Sequence, residues 1–240
     1  VLLFLCIVSY GLLIPELGFY FDDWPVILVI KEKLNFWEFY TYDRPFSAWT
    51  FMLTVPLLGL KPLHWHIFTL VLRWLTCLGV WWTLVQLWPQ RRAEAMWITF
   101  LFAINPAFIQ QPIAVAYSQH FITYAFFFLS VGAMLAALRS ERWFWPLTIL
   151  SLLAEGIHLF TMEYFWGLEF MRPFLIFLLP SSSQESAQQT VKQRITYALR
   201  HWRPYFIFLL VAVVWRMFFV QLPIDDPNAL KWLQLLREAP

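Results

Sequence analysis

Seven stretches of this chain, near 1–19, 66–88, 96–114, 120–138, 143–160, 164–180 and 204–222, are apolar over close to a bilayer-spanning length. A crossing helix takes roughly 20 residues at 1.5 Å each, so the shorter stretches reach across only with flanking residues added. Hydrocarbon offers the backbone no hydrogen-bond partner, which leaves helices as the economical way to cross. Composition agrees: the 240 residues are 60% hydrophobic and 13% charged, against about 25% charged in an ordinary soluble domain. The expectation is an all-α polytopic membrane protein with about seven transmembrane helices. An eighth apolar stretch, 46–60, holds Pro56 and Gly59 and is about 15 residues long, which suits an interfacial or re-entrant helix.

Lysine and arginine placement orders these segments. Arg91 and Arg92 follow the second span, Arg139 and Arg142 the fourth, and Lys192, Arg194, Arg200 and Arg203 the sixth. If 46–60 does not cross, all eight lie on one side, which the positive-inside rule makes cytoplasmic. The interval 20–45 then faces outward. If 46–60 does cross, the same clusters stay inside only with 20–45 cytoplasmic. The first arrangement is preferred, giving a transmembrane module over 1–222, an outer loop over 20–65 that carries juxtamembrane helices, and a cytoplasmic linker over 181–203. The chain opens inside an apolar run and ends in LKWLQLLREAP, so it reads as a piece of a longer protein in which 223–240 starts a further outer segment.

The polar interval FYFDDWPVILVIKEKLNFWEFYTYDRP holds five acids: Asp22, Asp23, Glu32, Glu38 and Asp43. Acids at the mouth of a membrane bundle point to function by default. Neighbouring carboxylates resist joint ionisation, leaving one as a base near neutral pH. A capping turn is the plainer account of the same pair. Asp43-Arg44-Pro45 opens the short apolar helix, with Arg44 able to pair with Asp43 or to fork onto a phosphate. Lys61, His64 and His66 close that segment. An H-x-H spacing turns two rings apart on a helix, so no metal site is assigned there.

Ionisable residues also lie within the spans: Arg73, Glu155, His158, Glu163, Glu169, Arg172 and Arg216. Such groups face a bundle interior or a wet cavity. Glu163, in TMEYF, falls on the outer side with Asp22 and Asp23. Glu169 and Arg172, three apart, fit an internal salt bridge. Gln110-Gln111-Pro112 and Tyr117-Ser118-Gln119-His120 form a further outward polar turn. Cys6 and Cys77 lie in apolar runs as packing residues. A net charge of +2 gives no argument for a nucleic-acid partner. No phosphate-binding glycine loop, C-x-x-C, H-E-x-x-H or G-x-S-x-G is present.

FYFDDW after the first helix, then YDRPFSAWTFMLTVPLLGLKPLHWHIFTLVLRWL, resembles the GT-C glycosyltransferase superfamily, whose members include protein O-mannosyltransferases and lipid A aminoarabinose transferases. TMEYFWGLEFMRPFL resembles the acidic-aromatic turn between later spans of that superfamily. The likeness covers residues 15–75 well and 155–180 loosely, and this chain carries no soluble outer domain. The resemblance implies a GT-C-like membrane module in the cell membrane. Its partners would be membrane lipid, a polyprenyl-phosphate-linked sugar donor and an acceptor hydroxyl of unspecified origin. Asp22 or Asp23 would act as base in an inverting transfer, with Asp43, Arg44, Lys61, His64, Arg73, His120 and Glu163 binding substrate. One branch uses a divalent cation, which leaves Mg or Mn open and no cofactor fixed. A transporter or flippase for a lipid-linked glycan, using Arg73, Glu155 and Arg216, is the competing reading, and a non-catalytic membrane subunit is the third.

Overall fold

The computed structural model describes residues 1–41, 44–105, 110–179 and 190–220, and those residues contain helices and turns but no strand. Ten α-helices follow in order: α1 (Leu2–Cys6), α2 (Asp23–Lys31), α3 (Phe36–Tyr40), α4 (Ala48–Leu58), α5 (Pro62–Leu87), α6 (Arg92–Ala103), α7 (Ser118–Ala137), α8 (Phe144–Thr161), α9 (Met171–Leu178) and α10 (Val191–Phe219). Among the described residues, α5, α7, α8 and α10 are long and apolar enough to cross a bilayer. Leu101, Trp145, Leu153, Phe174 and Met217 lie exposed on the outside, where lipid rather than water suits them.

The expected seven spans are therefore not found: among the described residues four helices are long and apolar enough to cross. The window 1–19 is α1, a wider turn over Ile7–Gly11 and a tight turn at Ile14–Glu16 that holds Pro15. The window 96–114 yields α6, 12 residues and about 18 Å long; its helix ends just before Asn105, which precedes Pro106 and is steered away from helical geometry. The window 164–180 is a tight 3₁₀ run over Glu163–Phe170 followed by the eight residues of α9. Hydropathy sums cannot see these breaks. Residues 191–203, expected in a linker, are the first turns of α10, capped by Thr190 and Gln193 bonding reciprocally. Residues 181–189 and 223–240 lie outside the described residues.

The centre is the α7–α8 hairpin. Ser130 Oγ donates to the Ser151 carbonyl (2.7 Å) and Ser151 Oγ to that of Ser130 (2.6 Å), so small polar residues bring the two backbones together. Helix α5 lies beside α7 and runs the same way. A Cβ on Gly132 of α7 would stand 2.5 Å from the Trp82 ring of α5, and one on Gly79 would meet the Phe128 Cβ at 2.9 Å. Leu87, Val131, Met134, Leu135, Ile176, Ala198 and Tyr205 share one core cluster. That cluster gathers the C-terminal parts of α5 and α7 with the N-terminal part of α10, so the arginines just after α5 and α7 lie at the same end as those in the first turns of α10.

The opposite end holds the polar interval. His66 Nε2 is 2.9 Å from the Gly18 carbonyl, and Ser47 Oγ donates to the Thr161 carbonyl at 2.6 Å. The starts of α4 and α5 therefore sit at the same end as the finish of α8. Helix α4, 11 residues and about 16 Å long, is too short to cross. Gly59, at φ +58°, makes the turn into α5, closed by Trp65 Nε1 donating to its carbonyl at 2.8 Å.

Candidate functional site

The two neighbouring aspartates have opposite environments. Asp22 is exposed at the start of α2. Asp23 is fully buried. Its Oδ1 accepts from the amides of Val115 and Ala116 at 2.9 Å each, and its Oδ2 from that of Tyr20 at 3.2 Å. Burial pushes the Asp23 carboxyl above its ordinary value, against the downward pull of those amides and of His66. Asp23 thus joins the first polar interval to the 110–117 segment, and Asp22 is the member a solute can reach.

Segment 110–120 brings further groups to the same end. Tyr117 precedes α7 and feels the charge of Asp22, which with burial raises its hydroxyl above the usual tyrosine value. His120 stacks on Tyr117 with ring centres 4.6 Å apart, and Tyr164 lies 6.0 Å beyond it. The Nδ1 of His120 is buried without a hydrogen-bond partner. Arg44 lies over the Tyr164 ring at 4.5 Å and pairs with both oxygens of Glu163 at 3.1 and 3.0 Å. Arg216, from α10, approaches Glu163 at 3.9 Å. Tyr117, His120, Tyr164, Arg44, Glu163 and Arg216 thus form a file across the end of the bundle, with Asp22 within electrostatic reach of Tyr117.

An apolar groove of about 550 Å³ opens along α8, lined also by Trp37, Phe46, Trp49 and Phe208 of α10. Phe46, Trp49 and Phe160 line its upper part, and Gly156, Leu152 and Phe208 continue it toward mid-bundle. Phe46 of the groove meets Trp215, the chain neighbour of Arg216, edge to face at 5.0 Å.

Of the residues expected to bind substrate, Arg44, His120 and Glu163 come together here. Lys61 is exposed at the start of α5, and the His64 Nδ1 lies 3.1 Å from the Leu58 carbonyl, so both belong to the α4–α5 turn. Arg73 lies buried elsewhere. Its Nε donates to Gln111 Oε1 (2.7 Å), its Nη1 to the carbonyl of Ala103 at the end of α6 (3.3 Å), and Tyr10 lies under it at 3.8 Å. A cation at a helix C-terminus answers the dipole there, so Arg73 ties α5 to the end of α6 and to the Ile7–Gly11 turn. Asp43 lies outside the described residues. Arg172 does pair with Glu169, and Cys6 and Cys77 are free thiols in one apolar cluster. Tyr164 was missed; only its position beside Glu163 in TMEYF hinted at it.

Among the described residues no three His, Cys, Asp or Glu side chains are arranged to hold a metal ion, and both oxygens of Glu163 face Arg44. Comparison with protein-family models, with curated proteins and with solved structures returned no match to this chain. What fold and composition define is the class: a helical membrane protein with a polar, aromatic-lined end.

Proposed function

We propose that the chain is the membrane module of a glycosyltransferase that moves a sugar from a polyprenyl phosphate to an acceptor hydroxyl on the extracytoplasmic side. The observation that carries this reading is the apolar groove along α8, whose lining residue Phe46 lies two positions from Arg44 and packs on Trp215, the chain neighbour of Arg216. A prenyl chain matches the groove. The two arginines and Glu163 sum to one positive charge where the chain's phosphate would lie, and guanidinium forks suit phosphate oxygens. Tyr164, His120 and Tyr117 present ring faces where the sugar would follow, and Asp22 lies within electrostatic reach of Tyr117 at the far end of that file.

The chemistry follows from that order. The acceptor oxygen attacks the anomeric carbon and its proton passes to Asp22 acting as base. The bond from the anomeric carbon to the phosphate oxygen breaks, the electron pair leaves with the lipid phosphate, and configuration inverts as in other single displacements. Arg44 and Arg216 meet the charge that develops on the departing phosphate. Asp23 positions Asp22 through the backbone and does not touch substrate.

A second reading draws on the broken segments. Helices α5 and α7 run in parallel and are joined by the short α6, while the broken 163–178 segment joins α8 to α10. Short or interrupted returns are also a device of transporters. Purified protein in liposomes with a labelled polyprenyl-phosphate sugar and a membrane extract as acceptor source separates the two. A new glycosidic bond supports transfer. Movement of the intact donor between leaflets with no new bond supports transport and removes the proposal.

A further inference from the structure

The buried face of α8 carries polar residues at helical spacing: Ser151, Glu155, His158 and Thr161. Arg172 of α9 and Glu169 of the preceding turn pack against them, and all six side chains are withdrawn from the surface. Arg172 is fully committed. Its Nε and Nη2 donate to the two oxygens of Glu169, Nη2 also reaches Ser130 Oγ at 2.9 Å, and the Tyr205 ring of α10 lies 4.6 Å away. Glu155 stands beside Glu169, within hydrogen-bonding reach once one of the two carboxyls carries a proton, and among the described residues no donor meets either of its oxygens. His158 Nε2 is 2.9 Å from Glu169 Oε1, but the approach is poorly aligned and neither ring nitrogen makes a hydrogen bond.

The charge count then decides. One guanidinium is already matched by one carboxylate, so a second ionised carboxylate beside Glu169 would be unbalanced and unsolvated at membrane depth. We infer that Glu155, with His158 and the Glu169–Arg172 pair, forms a proton-binding site inside the bundle, and that Glu155 carries an exchangeable proton. The titratable groups facing it are His158 on its own helix, Glu169 and Arg172 on the returning segment, and Tyr205 on α10; α7 contributes the uncharged Ser130. With the proton on Glu155 the cluster is neutral, and the carboxyl hydroxyl supplies a donor among acceptors. Proton loss puts two anions side by side, which the fold relieves by admitting a cation or by moving the 163–178 segment. Nothing here depends on the transferase reading.

Infrared spectra of the purified chain at neutral pH, in light and heavy water, test the assignment. The expected result is a protonated-carboxyl carbonyl band that shifts in heavy water, is kept in Glu163→Gln and is lost in Glu155→Gln. No band, a band that ignores heavy water, or one that survives Glu155→Gln overturns it. Folding is checked by melting in detergent. Glutamine matches a neutral acid in size and hydrogen-bonding capacity, so Glu155→Gln melts with the parent, while Glu169→Gln, which strips Arg172 of its counter-charge, melts lower. A Glu155→Gln protein that melts as low as Glu169→Gln shows that Glu155 is ionised and also overturns the inference.

Discussion

Arg44 Nε stands 3.1 and 3.0 Å from the two oxygens of Glu163, a residue 119 positions further along the chain. The pair is partly buried, with side-chain exposures of 15% and 26%. It locks the entry to α4 against the turn after α8 and sets Arg44 over Tyr164. Single replacements by Ala and Gln each lose this contact, and the Arg44→Ala, Glu163→Gln double variant should cost less than the two singles summed. A double-mutant cycle on thermal unfolding is expected to give a coupling of about 1 kcal/mol, discounted for the partial exposure of both groups. Additivity would mean that the contact does not hold the two segments together.

Gly156 lines the groove proposed for the prenyl chain. A Cβ there would meet Phe208 at 3.5 Å, an ordinary contact, so Gly156→Ala should fold normally. Gly156→Leu fills the groove. The expected outcome is a raised KM for a long-chain donor with little change for a short-chain analogue, measured side by side in detergent. Equal effects on both donors would place the chain elsewhere.

Asp23 joins two segments through three backbone amides, so Asp23→Ala leaves buried donors unmatched and should cost about 3 kcal/mol in unfolding measurements. Because burial raises its carboxyl above the ordinary 3.8, the folded chain holds this proton to a higher pH than the unfolded one. The linked stability is fully present below 3.8 and is lost as pH climbs through the folded value. Melting temperatures of the parent relative to Asp23→Ala should therefore fall from pH 4 upward. A parent advantage that grows over the same range would reverse the sign assigned here.

Helical class and the polar end were legible in the sequence because both rest on composition and on short local patterns. FYFDDW, TMEYF and the Tyr117–His120 turn do meet at one end, and 46–60 folds as a short apolar helix. The span count was not legible. Asn105-Pro106 and the Glu169, Arg172 and Pro173 stretch break helices that mean hydropathy scores as continuous. Arg73 and the two aspartates were ambiguous for another reason: a buried charge and an exposed one share the same letters. Whether a carboxylate meets amides, as Asp23 does, or solvent, as Asp22 does, is decided by the 110–117 segment, far off in sequence.

Transfer of labelled sugar from a polyprenyl phosphate, compared between the parent chain and Asp22→Asn in membranes, tests the central claim most directly. Loss of the base should lower turnover by about 10²- to 10⁴-fold, while donor binding, which rests on Arg44, Arg216 and the groove, stays near the parent value. Transfer by Asp22→Asn at the parent rate would contradict the account.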